Sequence, residues 1–140
     1  MLEQIDHVGI AVPDLDAAVE RYSEMFGVEP MHRERVESQG VEEVLFRVGV
    51  SYIQLLGSLG GHTPVGRFLD TRGSGIHHVA YRVDDVAASL ETLKTRGARL
   101  VDETPRPGSR GTAIAFVHPA SAEGVLVELV QVGARDEVAG

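Results

Sequence analysis

His7 and His78 lie 71 residues apart, each inside a near-copy of one segment. Ile5-Asp6-His7-Val8-Gly9-Ile10-Ala11-Val12 matches Ile76-His77-His78-Val79-Ala80-Tyr81-Arg82-Val83. A looser match sets Ser51-Tyr52-Ile53-Gln54-Leu55-Leu56 over Val125-Leu126-Val127-Glu128-Leu129-Val130, with Gln54 on Glu128. The duplication therefore offers an imidazole and an oxygen donor twice. Two imidazoles, an amide oxygen and a carboxylate suit a divalent first-row cation. Their single negative charge leaves such an ion electrophilic, with two of six octahedral positions open to water or a chelating substrate. A lone buried histidine is more often a hydrogen-bonded core residue, but recurrence at one repeat position argues for ligation. Glu128 shares a strand face with Leu126 and Val130. A buried carboxylate without a partner is costly, so a metal or an arginine is expected beside it. Gln54 taken alone serves equally well as an interstrand amide. His77 is expected to face away from its neighbour His78. His32, His62 and His118 lie in or beside loops and receive no chemical role.

The elements that must position these donors also repeat. Each half opens on a β-branched, partly alternating stretch that predicts a strand. Asp14 and Asp85 follow where a helix N-cap or first-turn acid is expected. The first helix is expected to bury Ala18, Val19, Tyr22 and Phe26, the second Val86, Ser89, Leu90 and Leu93. Gly27 and Gly97 fit the helix C-termini. Further strands are expected at Met31–Val36, Val44–Val48 and Tyr52–Leu56, then at Leu100–Glu103, Thr112–His118 and Val125–Gln131. A glycine-rich linker with a short helix around Pro64–Thr71 joins the halves. The class is α+β: two tandem βαβββ modules whose curved sheets direct residues of one face inward. One domain is expected over 1–133, with module one at about 1–57, a linker at 58–75, module two at 76–132 and a flexible tail at 134–140.

Composition narrows the partners. The formal net charge of -8 disfavours nucleic acid and anionic membrane. An apolar share of 43% supports a real core. There is no cysteine, so any metal site must use nitrogen and oxygen donors. No stretch approaches the roughly 20 apolar residues of a membrane span, and the N-terminus lacks a signal-peptide pattern. A cytoplasmic location is the expectation.

The ordered set of motifs resembles the vicinal-oxygen-chelate (glyoxalase-like) superfamily, and within it the methylmalonyl-CoA epimerases. The segments that carry the resemblance are Ile5–Val12, Gly75–Ala80, Arg82–Asp85 and Gly124–Leu129, together with Ser38-Gln39-Gly40-Val41-Glu42-Glu43-Val44. The resemblance implies metal ligands His7, Gln54, His78 and Glu128, the set the repeat selects. It implies a divalent metal, Co2+ first, with Mn2+, Ni2+ and Zn2+ as alternatives, and a homodimer acting on an acyl-CoA. The implied reaction interconverts (2R)- and (2S)-methylmalonyl-CoA by proton abstraction at C2 through a metal-stabilised enolate. Glu43 becomes one acid/base and Glu128 the second, doubling as a ligand; a metal-bound water is the alternative second group. For substrate binding, Gln39 comes from the matching stretch. Ser109, Arg110 and Gly111 come from a turn able to offer a cation and backbone amides to phosphate; the family is glycine-richer there, so Arg110 departs from its pattern. A glyoxalase I-type lyase, which commonly pairs two histidines with two glutamates, and an extradiol dioxygenase fit Gln54 less well. A metal-free drug-sequestering protein fits the histidine–glutamate set less well.

Overall fold

The computed structural model describes residues 1–133, and the expected tail at 134–140 lies outside the described residues. Among the described residues there are eight strands and three α-helices: β1 (Leu2–Ala11), α1 (Leu15–Phe26), β2 (His32–Val36), β3 (Val41–Val48), β4 (Ser51–Ser58), α2 (Pro64–Arg72), β5 (Gly75–Val83), α3 (Val86–Thr95), β6 (Arg106–Pro107), β7 (Ala113–Val117) and β8 (Val127–Gln131). This is the expected βαβββ order, twice. The described residues cluster into two compact units, His7–His77 and Met1–Asp6 with residues 78–133, so the first six residues join the second half.

In the His7–His77 unit the strand order is β2-β3-β4-β1. β1 runs parallel to β4, and the other neighbours are antiparallel. Alternation gives this sheet two faces. One carries Ile10, Val44, Phe46 and Leu55, which pack with Val12 and Leu15 and with Ala18, Val19 and Tyr22 of α1. The opposite face begins with Val36, Val41, Ala11 and Leu56, packed under Val65 of α2. Asp14 caps α1 by accepting a hydrogen bond from the Ala17 amide at 3.1 Å, and Gly27 ends it in the left-handed conformation. Leu15 is the buried residue of α1, and Phe26, expected in the core, is exposed. The helix is anchored at its first turn, and Phe26 sits at its outer end, edge-on to Tyr22.

The second unit orders its strands β1-β5-β8-β7-β6, with β5 parallel to β8. α3 buries Val86, Ser89 and Leu90 as the periodicity predicts. These pack with Val83, Ala115, Val117 and Leu129. Asp85 caps the helix through the Ala88 amide at 3.0 Å. The strand expected at Leu100–Glu103 does not form: Leu100 makes an isolated bridge to Val117, and the short strand is Arg106–Pro107. The Asp102 carboxylate accepts the Phe116 amide at 2.8 Å in place of a main-chain partner. β8 begins at Val127, because Val125 is tied into the preceding turn by its amide to the Ala122 carbonyl.

Candidate functional site

Register decides which donors share a face. In the His7–His77 unit, His7 lies opposite Tyr52 and Gly9 opposite Gln54. Leu45 also lies opposite Gln54, and Glu43 opposite Leu56. His7, Gln54 and Glu43 therefore stand on the face away from α1. All three are buried: His7 is 3% exposed, Gln54 8% and Glu43 1%. β2 adds His32 opposite Leu45 and Glu34 opposite Glu43 on the same face.

The Gln54 amide is divided in its commitments. Its Nε2 donates a short hydrogen bond to Glu43 Oε2, while its Oε1 is buried with no hydrogen-bond partner among the described residues. Glu43 Oε1 is likewise buried and without a donor. A buried acceptor left unmade costs about 1–3 kcal/mol. Two such acceptors side by side mark a place built for something other than folding. An amide whose nitrogen is held can aim its oxygen at a cation, and the same bond fixes the carboxylate beside it.

Glu43 owes its placement to the turn before it. The 3-10 turn Glu37–Gln39 ends at Gly40, whose φ is 68°. A Cβ at Gly40 would lie 2.6 Å from Thr63 Cγ2, so the position tolerates only glycine. Thr63 caps α2 by accepting from the Gly66 amide at 3.1 Å, and the Leu59 amide donates to the Gly40 carbonyl at 2.9 Å. These contacts fix the start of β3, hence the register of Glu43. Gln39 is half-buried at the end of this turn.

In the second unit, Ala80 and Phe116 both lie opposite Glu128. His78, two residues before Ala80, shares that face by alternation. His78 and Glu128 are each 3% exposed. Their Nε2 and Oε1 atoms are 3.6 Å apart, wider than an ordinary hydrogen bond and compatible with two ligands of one ion. The Phe116 ring stands edge-on to His78 with centroids 5.6 Å apart, which fixes the imidazole plane. The repeat equivalence is thus visible in the pairing: in each module the oxygen donor of the last strand lies opposite the residue two places after the first-strand histidine.

Sequence reasoning missed a buried ionic cluster here. Asp6 is fully buried and accepts from Arg110 Nη2 at 3.2 Å and from Arg82 Nη2 at 3.5 Å. Arg110 is the middle residue of the turn Ser109–Gly111, with φ 55°, a left-handed conformation that costs a non-glycine residue about 1 kcal/mol or more. The ion pair with Asp6 holds it there. Asp6 was masked in the sequence by its place beside His7 in a strand pattern; an acid in an apolar strand was the available signal. Of the remaining histidines, His62 is exposed. His118 accepts from the Ala120 amide at 3.0 Å as a turn cap. His77 packs edge-on against Phe68 at 5.1 Å. His32 opens β2, within the strand expected at Met31–Val36 and beside the loop before it, and its Nε2 is 2.8 Å from Glu34 Oε1. No described helix is long and apolar enough to cross a membrane.

The family model described as Glyoxalase/Bleomycin resistance protein/Dioxygenase superfamily matches residues 6–116. The Ethylmalonyl-CoA/methylmalonyl-CoA epimerase of Cereibacter sphaeroides is 37% identical over 134 residues, covering 94% of this chain and 100% of that protein. A solved structure of methylmalonyl-CoA epimerase in complex with methylmalonyl-CoA and NH4+ is 41% identical, with a TM-score of 0.93 over 96% of this chain and 97% of that one. The methylmalonyl-CoA epimerase of Mycobacterium tuberculosis is also 41% identical, with a TM-score of 0.92 over 98% of this chain and 93% of that one. The twice-repeated βαβββ order, the histidine repeated in each module and these likenesses together lead to one family: this chain belongs to the glyoxalase/bleomycin resistance/dioxygenase superfamily and, within it, to the methylmalonyl-CoA epimerases.

Proposed function

We infer that the protein is an epimerase interconverting (2R)- and (2S)-methylmalonyl-CoA, with residues 1–133 acting as one vicinal-oxygen-chelate domain. The observation that carries the reading is the divided amide of Gln54, one end on Glu43 and the other end unpartnered. By likeness to the family, the ligands we propose are His7, Gln54, His78 and Glu128, each buried in its own unit, with Gln54 offering its unpartnered Oε1. The donor set is nitrogen and oxygen only, with one carboxylate, which fits Co2+ or a similar divalent ion. When bound, the ion supplies Lewis-acid stabilisation of charge developing on the thioester oxygen and neutralises the substrate carboxylate.

The chain's own residues then account for proton transfer. Glu43 has one oxygen held by Gln54 and the other without a donor, so the latter takes the proton from C2. Gln54 keeps the carboxylate from rotating out of line. Glu128 is the group proposed to deliver a proton to the opposite face. Leu45 and Phe116 each lie opposite an oxygen donor within their own sheets. Gln39 and the turn Ser109-Arg110-Gly111 are the proposed acyl-CoA contacts; with the Arg110 side chain engaged by Asp6, the backbone of the turn is the surface it offers. Co2+ as resident ion, a homodimeric state and a cytoplasmic location complete the reading.

The test is isotope exchange. Cobalt-loaded protein incubated with methylmalonyl-CoA in deuterated water should place one deuterium at C2, read by mass spectrometry. No incorporation above a metal-stripped control would refute the function.

A further inference from the structure

A second cluster of metal-binding side chains lies in the His7–His77 unit. His32, Glu34 and Glu43 each offer a ligand atom, and these atoms all lie within 4.8 Å of one another. The local sequence dictates the arrangement. His32 and Glu34 are two apart on β2, so they share a face, and Glu34 is the register partner of Glu43 on β3. The three side chains differ in freedom. Glu43 is 1% exposed, with Oε1 lacking a donor. The His32 and Glu34 side chains are 29% and 34% exposed, so solvent reaches this edge and both can adjust.

We propose that His32, Glu34 and Glu43 form a second divalent-cation site of the zinc type, whose occupation withdraws Glu43 from proton transfer. The control role rests on the reading of Glu43 as acid/base; the site itself does not. One imidazole and two carboxylates are a common donor set for Zn2+, which takes nitrogen and oxygen at about 2.0–2.2 Å in tetrahedral geometry. Ligand atoms of such a site stand about 3.3 Å apart, and rotation of the two outer side chains closes the observed gap. His32 Nε2 and Glu34 Oε1 already face each other at 2.8 Å. The unpartnered oxygen of Glu43 is the independent sign that the cluster lacks a component: a carboxylate in a finished salt bridge has its acceptors filled. Zinc there binds the same carboxylate that must accept the substrate proton, so the ion and the proton compete for one group. The protein would then be active with its central ion alone and silenced by a second.

The experiment titrates zinc into cobalt-loaded protein and measures both stoichiometry, by metal analysis after gel filtration, and deuterium exchange. The wild type should take up one further equivalent and lose at least tenfold of its exchange rate. The variant His32→Ala/Glu34→Gln should take up none and keep its rate in the presence of zinc. His78→Ala, which removes a proposed central ligand, should still take up the outer equivalent. Failure of the wild type to bind a further equivalent, or equal uptake by the His32→Ala/Glu34→Gln variant, would overturn the site. Uptake without inhibition of an active enzyme would overturn the control role. An inactive cobalt enzyme that still shows the uptake pattern would sink the epimerase reading and leave the site standing.

Discussion

Replacing Glu43 by glutamine separates catalysis from folding more cleanly than any other change in this chain. Glu43 is 1% exposed, and its Oε2 accepts from Gln54 Nε2. A glutamine retains the shape, and its amide oxygen can keep that bond. What disappears is a buried negative charge and the basic oxygen. Removing a positioned general base typically costs 10²–10⁴ in rate, about 2.7–5.4 kcal/mol of barrier at 1.36 kcal/mol per decade. The folding balance is far smaller. Losing an under-solvated charge favours the folded state. The new NH2 group needs an acceptor, and leaving it unmade costs about 1–3 kcal/mol. Glu34, in the same cluster, lies close enough to supply one. The two effects oppose, so the unfolding free energy should shift by no more than about 1.5 kcal/mol. The assay pairs urea unfolding with deuterium exchange at C2, both on cobalt-loaded protein. A variant that exchanges within tenfold of wild type refutes Glu43 as a base. A variant that is inactive because it no longer folds refutes the claim that this carboxylate is there for chemistry rather than structure.

Four further changes test the remaining links. His78→Ala should lower central metal affinity at least a hundredfold, seen as loss of cobalt on dialysis; a full equivalent retained would remove His78 from the ligand set. Asp6→Asn leaves Arg82 and Arg110 without their buried carboxylate. It should cost about 3 kcal/mol of stability, and a change under about 1 kcal/mol would show the cluster to be slack. Leu90→Ala empties a position 1% exposed in the core beneath α3, for an expected loss of about 2–5 kcal/mol in urea unfolding. Arg33 is the control. Its pKa is raised above the ordinary value, first by hydrogen bonding to Glu42 and then to Asp16. A raised basic pKa stabilises at every pH below the ordinary value and fades only as pH climbs through the raised one, so the effect is constant across neutral pH. The guanidinium is exposed, and Arg33→Ala should cost less than about 1 kcal/mol; a larger loss in thermal unfolding would contradict that ranking.

What was legible in the sequence was what the duplication wrote twice. His7 and His78 announced the first strands, Asp14 and Asp85 the helix caps, and Gln54 over Glu128 the last strands, and the register bears each pairing out. What was illegible occurred once. The Leu100–Glu103 segment is expected as a strand, yet a side-chain oxygen of Asp102 takes the Phe116 amide and the short strand falls at Arg106–Pro107. Phe26 has helical spacing to Tyr22 but lies beyond the reach of the core. The Asp6–Arg110 pair spans 104 positions, a separation no local pattern encodes. His32 opens β2 inside the strand expected at Met31–Val36, but only the β2–β3 register shows that it faces the Glu43 side of the sheet.

The departures from the repeat fall where an epimerase needs them. Leu45 stands opposite Gln54 as Phe116 stands opposite Glu128, so β3 and β7 are equivalent strands. Two residues earlier, Glu43 lies opposite Leu56 in one module, and Ile114 lies opposite Val130 in the other. The position of the proposed base is therefore a carboxylate in the first module and an aliphatic side chain in the second. The oxygen donors show the reverse bias: an amide in the first module and a carboxylate in the second. Each module thus contributes one acidic side chain, at different depths along its strands. A strictly repeated carboxylate at Glu43 and Ile114 would add a fourth buried acidic side chain to Asp6, Glu43 and Glu128, with the desolvation cost that entails. It would also put equivalent bases at symmetry-related positions, whereas inversion at one carbon requires a donor and an acceptor on opposite faces of a single substrate. Placing a glutamate at Ile114 should therefore destabilise the fold without raising the rate, and a faster enzyme would show that duplication, rather than its breaking, supplies the second acid/base.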